Sequence, residues 1–404
     1  MKNNLQMLRA IHRGWALVTV VYCVSLATLI AAPVDRFAGV PLALQPFVDG
    51  SEISGAVALI ADADRVLHVS AVGKSDLSTG RAMRTDDLFW IASMTKPITA
   101  VCVAMLAEEG RLKYTDLVEK YLPEFREQWL AEEKTPTRRV LVKSPRPLTL
   151  LDLLTHTSGM GNYAVTDPHW TLAQMSLAAA REPLGFAPGS RWGYSTAAVD
   201  ALGRIVEVVS GMPFAEFMQK RLLDPLEMRE TTFWPTPAQE KRLARSYKRT
   251  PEGRLEQVGI SYLYRGAVTD RQRPPLGGAG LFSTAEDIAR FYQMMLRQGE
   301  FKGRRILKSE TVAQLTRRQK EAIPLLRGNA TGLQFGIVID PAKMAQNAHF
   351  NPGTFGHGSA HGAISWADPV RGIIYIYMIQ RAGLPENSEF RLAFHNVVAS
   401  ALKQ

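Results

Sequence analysis

Two pairs of strand-like runs stand at opposite ends of this chain, and their separation constrains the fold more than any other feature. Near the start, Ala56–Ile60 and Val66–Val72 flank the polar stretch Ala61–Asp64, the pattern of a β-hairpin. Near the end, Ala363–Trp366 and Ile373–Ile379 are joined by Asp368–Gly372. The text between the pairs is mainly helical, cut by Pro and Gly. Strands at both ends with helices between imply one sheet assembled from both halves of the chain. The expected class is α/β of the α+β type. An antiparallel sheet from about residues 50–110 and 275–404, flanked by helices, would surround a mainly helical insertion at about 111–274.

Apolar residues at three- and four-residue steps predict a helix over Ser93–Gly110, and others over Ala197–Ser210 and Thr284–Gln298. Gly211 would stop the second of these, and Thr284 would cap the third, with Asp287 in its first turn. Glu386–Leu402 reads as a closing helix, and Glu124–Leu148, charged and Pro-rich, as a surface excursion. Gly277–Gly280 marks a tight backbone passage. Of 404 residues, 46% are apolar and 21% charged, which excludes disorder, collagen and a coiled coil. Two cysteines, Cys23 and Cys102, exclude a disulfide framework. The net charge is +10, yet no Lys/Arg run exceeds two residues, so the excess reads as a solvated surface and no nucleic-acid partner is expected.

Residues 1–14 carry Lys2, Arg9, His12 and Arg13 and no acid, and Trp15–Ala32 is then free of charge for 18 residues. A basic flank before an apolar core is the pattern of a secretory signal. The core is also just long enough for one membrane-spanning helix. Residues 1–32 are therefore expected to be a signal peptide or a membrane anchor, and residues 33–404 an exported domain, periplasmic or extracellular. Any membrane contact would run through that N-terminal segment alone.

The sharpest local feature is Ala92-Ser93-Met94-Thr95-Lys96, which follows the apolar run Leu88–Ile91 and opens a helix. A serine hydroxyl is a weak nucleophile and needs a base within hydrogen-bond reach. Three residues along a helix is close to one turn, so Lys96 falls on the face of Ser93. The helix N-terminus adds partial positive charge, which favours a developing oxyanion and helps to lower the Lys96 pKa. The spacing alone also fits a capping serine with a solvated lysine. No G-x-S-x-G occurs, so a nucleophile elbow is unsupported. His357 and His361 are four apart in Gly-rich text without flanking acids, so neither a metal nor another cofactor is expected.

Several motifs together resemble a known superfamily. Ser93-Met-Thr-Lys96-Pro97, Leu153–Gly159, Pro188–Ser195, Gly277–Thr284 and Phe355–Ser359 look, in order and spacing, like the serine β-lactamases and penicillin-binding proteins. The match is to the class C-like branch, which also holds family VIII carboxylesterases and D-aminopeptidases, and it runs from about Pro46 to the end. The resemblance implies that Ser93 is the acylated nucleophile, Lys96 its base and Tyr194 the second proton-transfer group. A phenol beside an ammonium is expected to be partly ionised. The backbone N–H groups of Ser93 and Ala360 would form the oxyanion hole, and His357-Gly358-Ser359 the strand that meets the substrate.

The chain departs from that branch at two places. β-Lactamases carry Tyr-x-Asn, whose amide contacts the acylamino side chain, and here the third place is Thr196. They carry Lys-Thr-Gly on the strand, and here His357 replaces the cation. Both changes weaken recognition of an anionic acylamide, and neither touches acyl transfer. The expected function is therefore an exported serine hydrolase acting on small esters or amides. A β-lactamase or D,D-peptidase acting on β-lactams or peptidoglycan fragments is the alternative, and a non-catalytic cell-wall-fragment binder the third. Tyr163, His169, Trp170, Tyr262 and Tyr264 either line the pocket or pack the core.

Overall fold

A computed structural model describes residues 35–403 other than 136, 162, 261–265, 322, 345–348 and 386. The charge-free run at 15–32, with Tyr262 and Tyr264, lies outside the described residues. No helix among the described residues is long and apolar enough to cross a membrane.

The main sheet is built from β1 (Gly55–Asp62), β2 (Val66–Asp76), β3 (Arg81–Ala82), β4 (Asn329–Thr331), β5 (Gly336–Val338), β6 (Phe355–Gly358), β7 (Gly362–Asp368) and β8 (Ile373–Ala382). The strands lie in the order β4-β5-β6-β7-β8-β1-β2-β3, and each neighbouring pair is antiparallel. The seam between the two halves of the chain is the β1–β8 pair, in register from Val57↔Met378 to Asp62↔Ile373. The antiparallel sheet drawn from both ends is the one the strand runs implied.

Six helices position the site: α1 (Val40–Asp49), α2 (Thr95–Glu108), α3 (Leu172–Arg181), α4 (Thr196–Ser210), α5 (Ala285–Leu296) and α6 (Glu389–Ala401). Successive strand residues point to opposite faces, and here both faces are covered. Val57, Leu59, Ile374 and Ile376 join the larger core with α2, α4 and α5. Ala58, Ile60, Tyr375 and Tyr377 join a second core with α1 and α6. Phe390 and Phe394 of α6 meet the Tyr377 ring edge-on at 5.0 and 5.1 Å. Double coverage is why these strands read as nearly unbroken apolar runs. Helix α2 is buried from Thr95 through Leu106 and packs on α4 inside the larger core, as expected of a helix that is apolar on every side.

The caps behave as their chemistry requires. Thr284 accepts the Asp287 N–H at 3.3 Å to open α5, and Gly211, at φ +73°, ends α4. Residues 111–274 also contain two hairpins that the sequence reading did not give. Trp129–Lys134 pairs with Arg139–Lys143 inside the stretch read as a surface excursion. Its second strand alternates exposed and half-buried residues, none of them buried, and Arg139 and Lys143 bound an apolar run of only three residues, which hides it from an apolar-run criterion. Tyr247–Arg249 pairs with Leu255–Gln257 and then joins β8 in parallel through Tyr247↔Arg381.

Candidate active site

Ser93 lies in a single 3₁₀ turn, Ala92–Met94, just before α2 begins. Ala92 has φ +46°, a left-handed conformation that costs a non-glycine residue about 1–2 kcal/mol. Its flanks hold it there: Phe89–Trp90 pairs with Phe282–Ser283, and the Ile91 N–H donates to the Leu281 carbonyl at 3.1 Å. The turn brings Ser93 Oγ to 3.1 Å from Lys96 Nζ.

The Lys96 amine is completely buried and also donates to the Gly278 carbonyl at 2.6 Å and to Thr196 Oγ1 at 3.4 Å. Burial pushes its pKa down to about 7, against the opposing pull of Asp200. Loss of water is thus the cause of the lowered pKa, in place of the helix N-terminus the sequence suggested. Asp200, one turn beyond Thr196 in α4, is 4% exposed and accepts the Gly278 N–H at 2.8 Å. Burial raises its carboxyl pKa, while the Gly278 N–H and Lys96 oppose that rise. Sequence reasoning missed Asp200, although a lone acid in the apolar run Ala197–Leu202 was a signal. The glycine passage is tight for a reason: a β-carbon on Gly278 would lie 2.4 Å from Thr196 Cγ2 and 2.9 Å from the Thr196 carbonyl oxygen.

Tyr194 precedes the α4 cap residue Ser195. Lys96 Nζ lies 4.8 Å from the Tyr194 ring centre, and the His156 and His357 rings are 4.6 and 6.3 Å from it. The residue is 45% exposed, at the mouth of the cleft. The surrounding walls push the phenol up, to about 12, and the facing Ser93 hydroxyl only moderates this. The expectation of a partly ionised phenol is therefore corrected: the phenol keeps its proton, because the same desolvation that raises its pKa also discharges the neighbouring lysine.

His156 is a second residue that sequence reasoning left without a role, although it stands inside the Leu153–Gly159 motif. It is 3% exposed at φ +58°, and its Nδ1 accepts the Ser195 N–H at 3.2 Å. The neutral ring then carries its proton on Nε2. Burial, Lys96 and His357 hold it well below the usual histidine pKa.

His357 lies on β6 opposite Ser365, with Nδ1 at 2.7 Å from the Gly358 carbonyl. Burial in the cleft, and then Lys96, lower its pKa to about 4, so it is neutral near pH 7. Gly358 ends β6, and Ser359 Oγ accepts the His361 N–H at 3.2 Å. Ala360 is exposed in the β6–β7 turn, where its N–H has no partner among the described residues. Thr196 turns its hydroxyl to Lys96 and its methyl to Gly278. Tyr163 and Trp170 pack on the larger core, and His169 Nε2 meets Asp270 Oδ2 at 2.8 Å. None of these three lines the pocket beside Tyr194. That pocket, about 220 Å³, opens past Tyr194 and His357 and is lined by Trp192, Leu326, Phe335 and Trp366 among others.

A doubly covered antiparallel sheet with a serine–lysine–tyrosine cluster beside its strand β6 defines a β-lactamase-like serine hydrolase. The family model described as Beta-lactamase matches residues 42–399, and the chain belongs to that family. Esterase EstB of Burkholderia gladioli is 30% identical over 81% of this chain and 86% of its own length. The lovastatin esterase of Penicillium rubens is 32% identical over 62% of this chain and 66% of its own. Among solved structures, EstCE1, a hydrolase with promiscuous acyltransferase activity, superposes with a TM-score of 0.73 at 25% identity, covering 90% of this chain and 97% of its own.

Proposed function

We propose that this protein is an exported serine esterase that forms an acyl-enzyme at Ser93 and hydrolyses small esters or amides. The observation that carries this reading is Lys96, a desolvated amine 3.1 Å from Ser93 Oγ with a pKa of about 7. Much of it is uncharged at neutral pH and free to take the Ser93 proton as Oγ bonds to the substrate carbonyl carbon. Tyr194, still protonated, gives its proton to the leaving oxygen as the carbon–oxygen bond breaks, and is reprotonated from Lys96. Water then attacks the acyl carbon and passes a proton through the same pair, so that the acid leaves and Ser93 regains its hydrogen. The N–H groups of Ser93 and Ala360 would hold the oxyanion.

Preference for esters rests on two absences of charge and amide at the substrate side. His357 is neutral where the branch carries lysine, and the Thr196 hydroxyl is engaged with Lys96 where the branch carries asparagine. Two esterases among the relatives support the same choice. Export rests on the basic flank and charge-free run of residues 1–32.

A parallel burst assay tests the reading, with a chromogenic short-chain ester in one arm and a chromogenic cephalosporin in the other. The expected result is rapid ester turnover, slow or stoichiometric acylation by the cephalosporin, and neither in a folded Ser93→Ala variant. Undiminished turnover in that variant would sink the mechanism. Fast cephalosporin turnover would move the protein to the β-lactamases.

A further inference from the structure

We infer that the pocket beyond Tyr194 and His357 receives the leaving-group half of the substrate, an apolar ring that carries an acidic group at the end away from the scissile bond. The inference rests on the esterase reading, because Tyr194 protonates the leaving oxygen and so puts that half of the substrate on its own side of Ser93. The pocket walls are largely apolar, with Trp192, Leu326, Phe335 and Trp366 among them, and its volume is about 220 Å³. A dry cavity of about 150 Å³ takes a benzene ring. This one therefore has room for a ring with a substituent.

What the substituent must be follows from the polar atoms. Five residues that line the pocket each hold a buried side-chain atom without a hydrogen-bond partner among the described residues: His156 Nε2, Trp192 Nε1, Arg318 Nε, Asn329 Oδ1 and Gln334 Oε1. Each such atom costs about 1–3 kcal/mol when left unmet, so their gathering around one pocket points to a polar group on the ligand. Three of the five are donors, since the His156 proton is on Nε2. His156 and Gln334 are 3% and 1% exposed.

Charge gives the sign. Arg318 donates to the backbone carbonyls of Glu321 and Ile323 and has no carboxylate partner among the described residues. Lys320 approaches Asp152 at 3.7 Å, but Arg146 already holds both oxygens of that carboxylate, at 2.7 and 2.9 Å. Two cations thus share one acid and Arg318 has none, and Lys320 and Arg318 both line the pocket. An anion fits this surplus. On the reaction side stands His357, its ring 6.3 Å from the Tyr194 ring and neutral near pH 7, so it offers an acid no cation there. The lining cations, Arg318 and Lys320, belong to a different segment from Ser93, Tyr194 and His357, and in the inferred substrate a ring stands between the acid and the scissile bond.

Three acetate esters test this: benzyl acetate, 4-(acetoxymethyl)benzoate and its isomer O-acetylmandelate, whose carboxylate adjoins the scissile bond. The expected kcat/KM for 4-(acetoxymethyl)benzoate is at least tenfold above the other two. Arg318→Gln should lower that advantage about tenfold. Arg318→Lys, which loses the same guanidinium bonds to the backbone but keeps the charge, should retain most of it. No advantage for the benzoate, or an equal loss in both variants, would overturn the inference. If the wild type cleaves none of the three, the esterase reading fails, and the pocket is tested by calorimetry with 4-(hydroxymethyl)benzoate. Binding that weakens in Arg318→Gln supports an acid site, and absence of binding overturns it.

Discussion

Asp200 and Lys96 are joined through one residue, Gly278, whose N–H donates to Asp200 Oδ1 at 2.8 Å and whose carbonyl accepts from Lys96 Nζ at 2.6 Å. The acid stabilises the ammonium, whereas burial favours the free amine. Replacing Asp200 by Asn keeps the Gly278 contact and removes the charge, so the Lys96 pKa should fall further. The acid limb of the kcat/KM–pH profile for an ester should then move about one unit to lower pH, with the circular dichroism spectrum unchanged. A limb that stays in place, or moves up, would remove Asp200 from control of Lys96.

Gly278 also bears on packing. A methyl group there would stand 2.4 Å from Thr196 Cγ2 and 2.9 Å from the Thr196 carbonyl. Overpacking of this kind costs about 1–3 kcal/mol. Gly278→Ala is expected to lower Tm by several degrees and to weaken turnover by pushing α4 away from Lys96. Adding Thr196→Ser, which deletes the clashing methyl, should recover part of the Tm. A double variant no more stable than the single one would place the strain elsewhere.

The parts of this molecule that were legible in its sequence are those in which one local pattern decides the outcome. Strands β1 and β8 are buried on both faces, so almost every residue is apolar and each run stands out. Strands β4 and β5 have three residues each, and those of β4 are only half-buried, which leaves no pattern long enough to read. Ser93 and Lys96 are near neighbours on one helical turn, and spacing alone suggested the pair. Tyr194 and His357 come from distant segments and were reached only through resemblance. Asp200 and His156 owe their importance to burial beside Lys96 and Ser195, which depends on how α4 packs on α2.

Stability should depend on pH through His395 of α6. It is 2% exposed between Phe350 and Phe394, at 4.8 and 5.4 Å, and its Nδ1 has no hydrogen-bond partner among the described residues. Burial, with His349 and Arg391 adding to it, lowers its pKa to about 3. Above about pH 6.5 the ring is neutral in both folded and unfolded chains. As the pH falls below that value the unfolded chain takes up a proton that the folded one refuses until about pH 3. Stability is therefore lost through this window, at up to about 1.4 kcal/mol per pH unit. His395→Phe should match the wild-type Tm near pH 8 and lose less of it at pH 5. Parallel declines in the two proteins would assign the acid sensitivity to other groups.

The strained turn before the nucleophile gives the sharpest test of how Ser93 is held. Ala92 is fully buried at φ +46°, where a β-branched side chain is strongly disfavoured and glycine is at ease. Ala92→Gly relieves the backbone but also frees the unfolded chain, and the two effects roughly cancel. Its Tm should stay within a few degrees of wild type and its ester burst rate within a few-fold. Ala92→Val must either distort the turn or displace the packing around Trp90 and Leu243. A displacement of about 1 Å in the nucleophile is worth roughly a hundredfold in rate, so the burst should slow by that order in protein that remains folded. If the valine variant acylates at the wild-type rate, Ser93 is positioned by its contact with Lys96 and not by the turn.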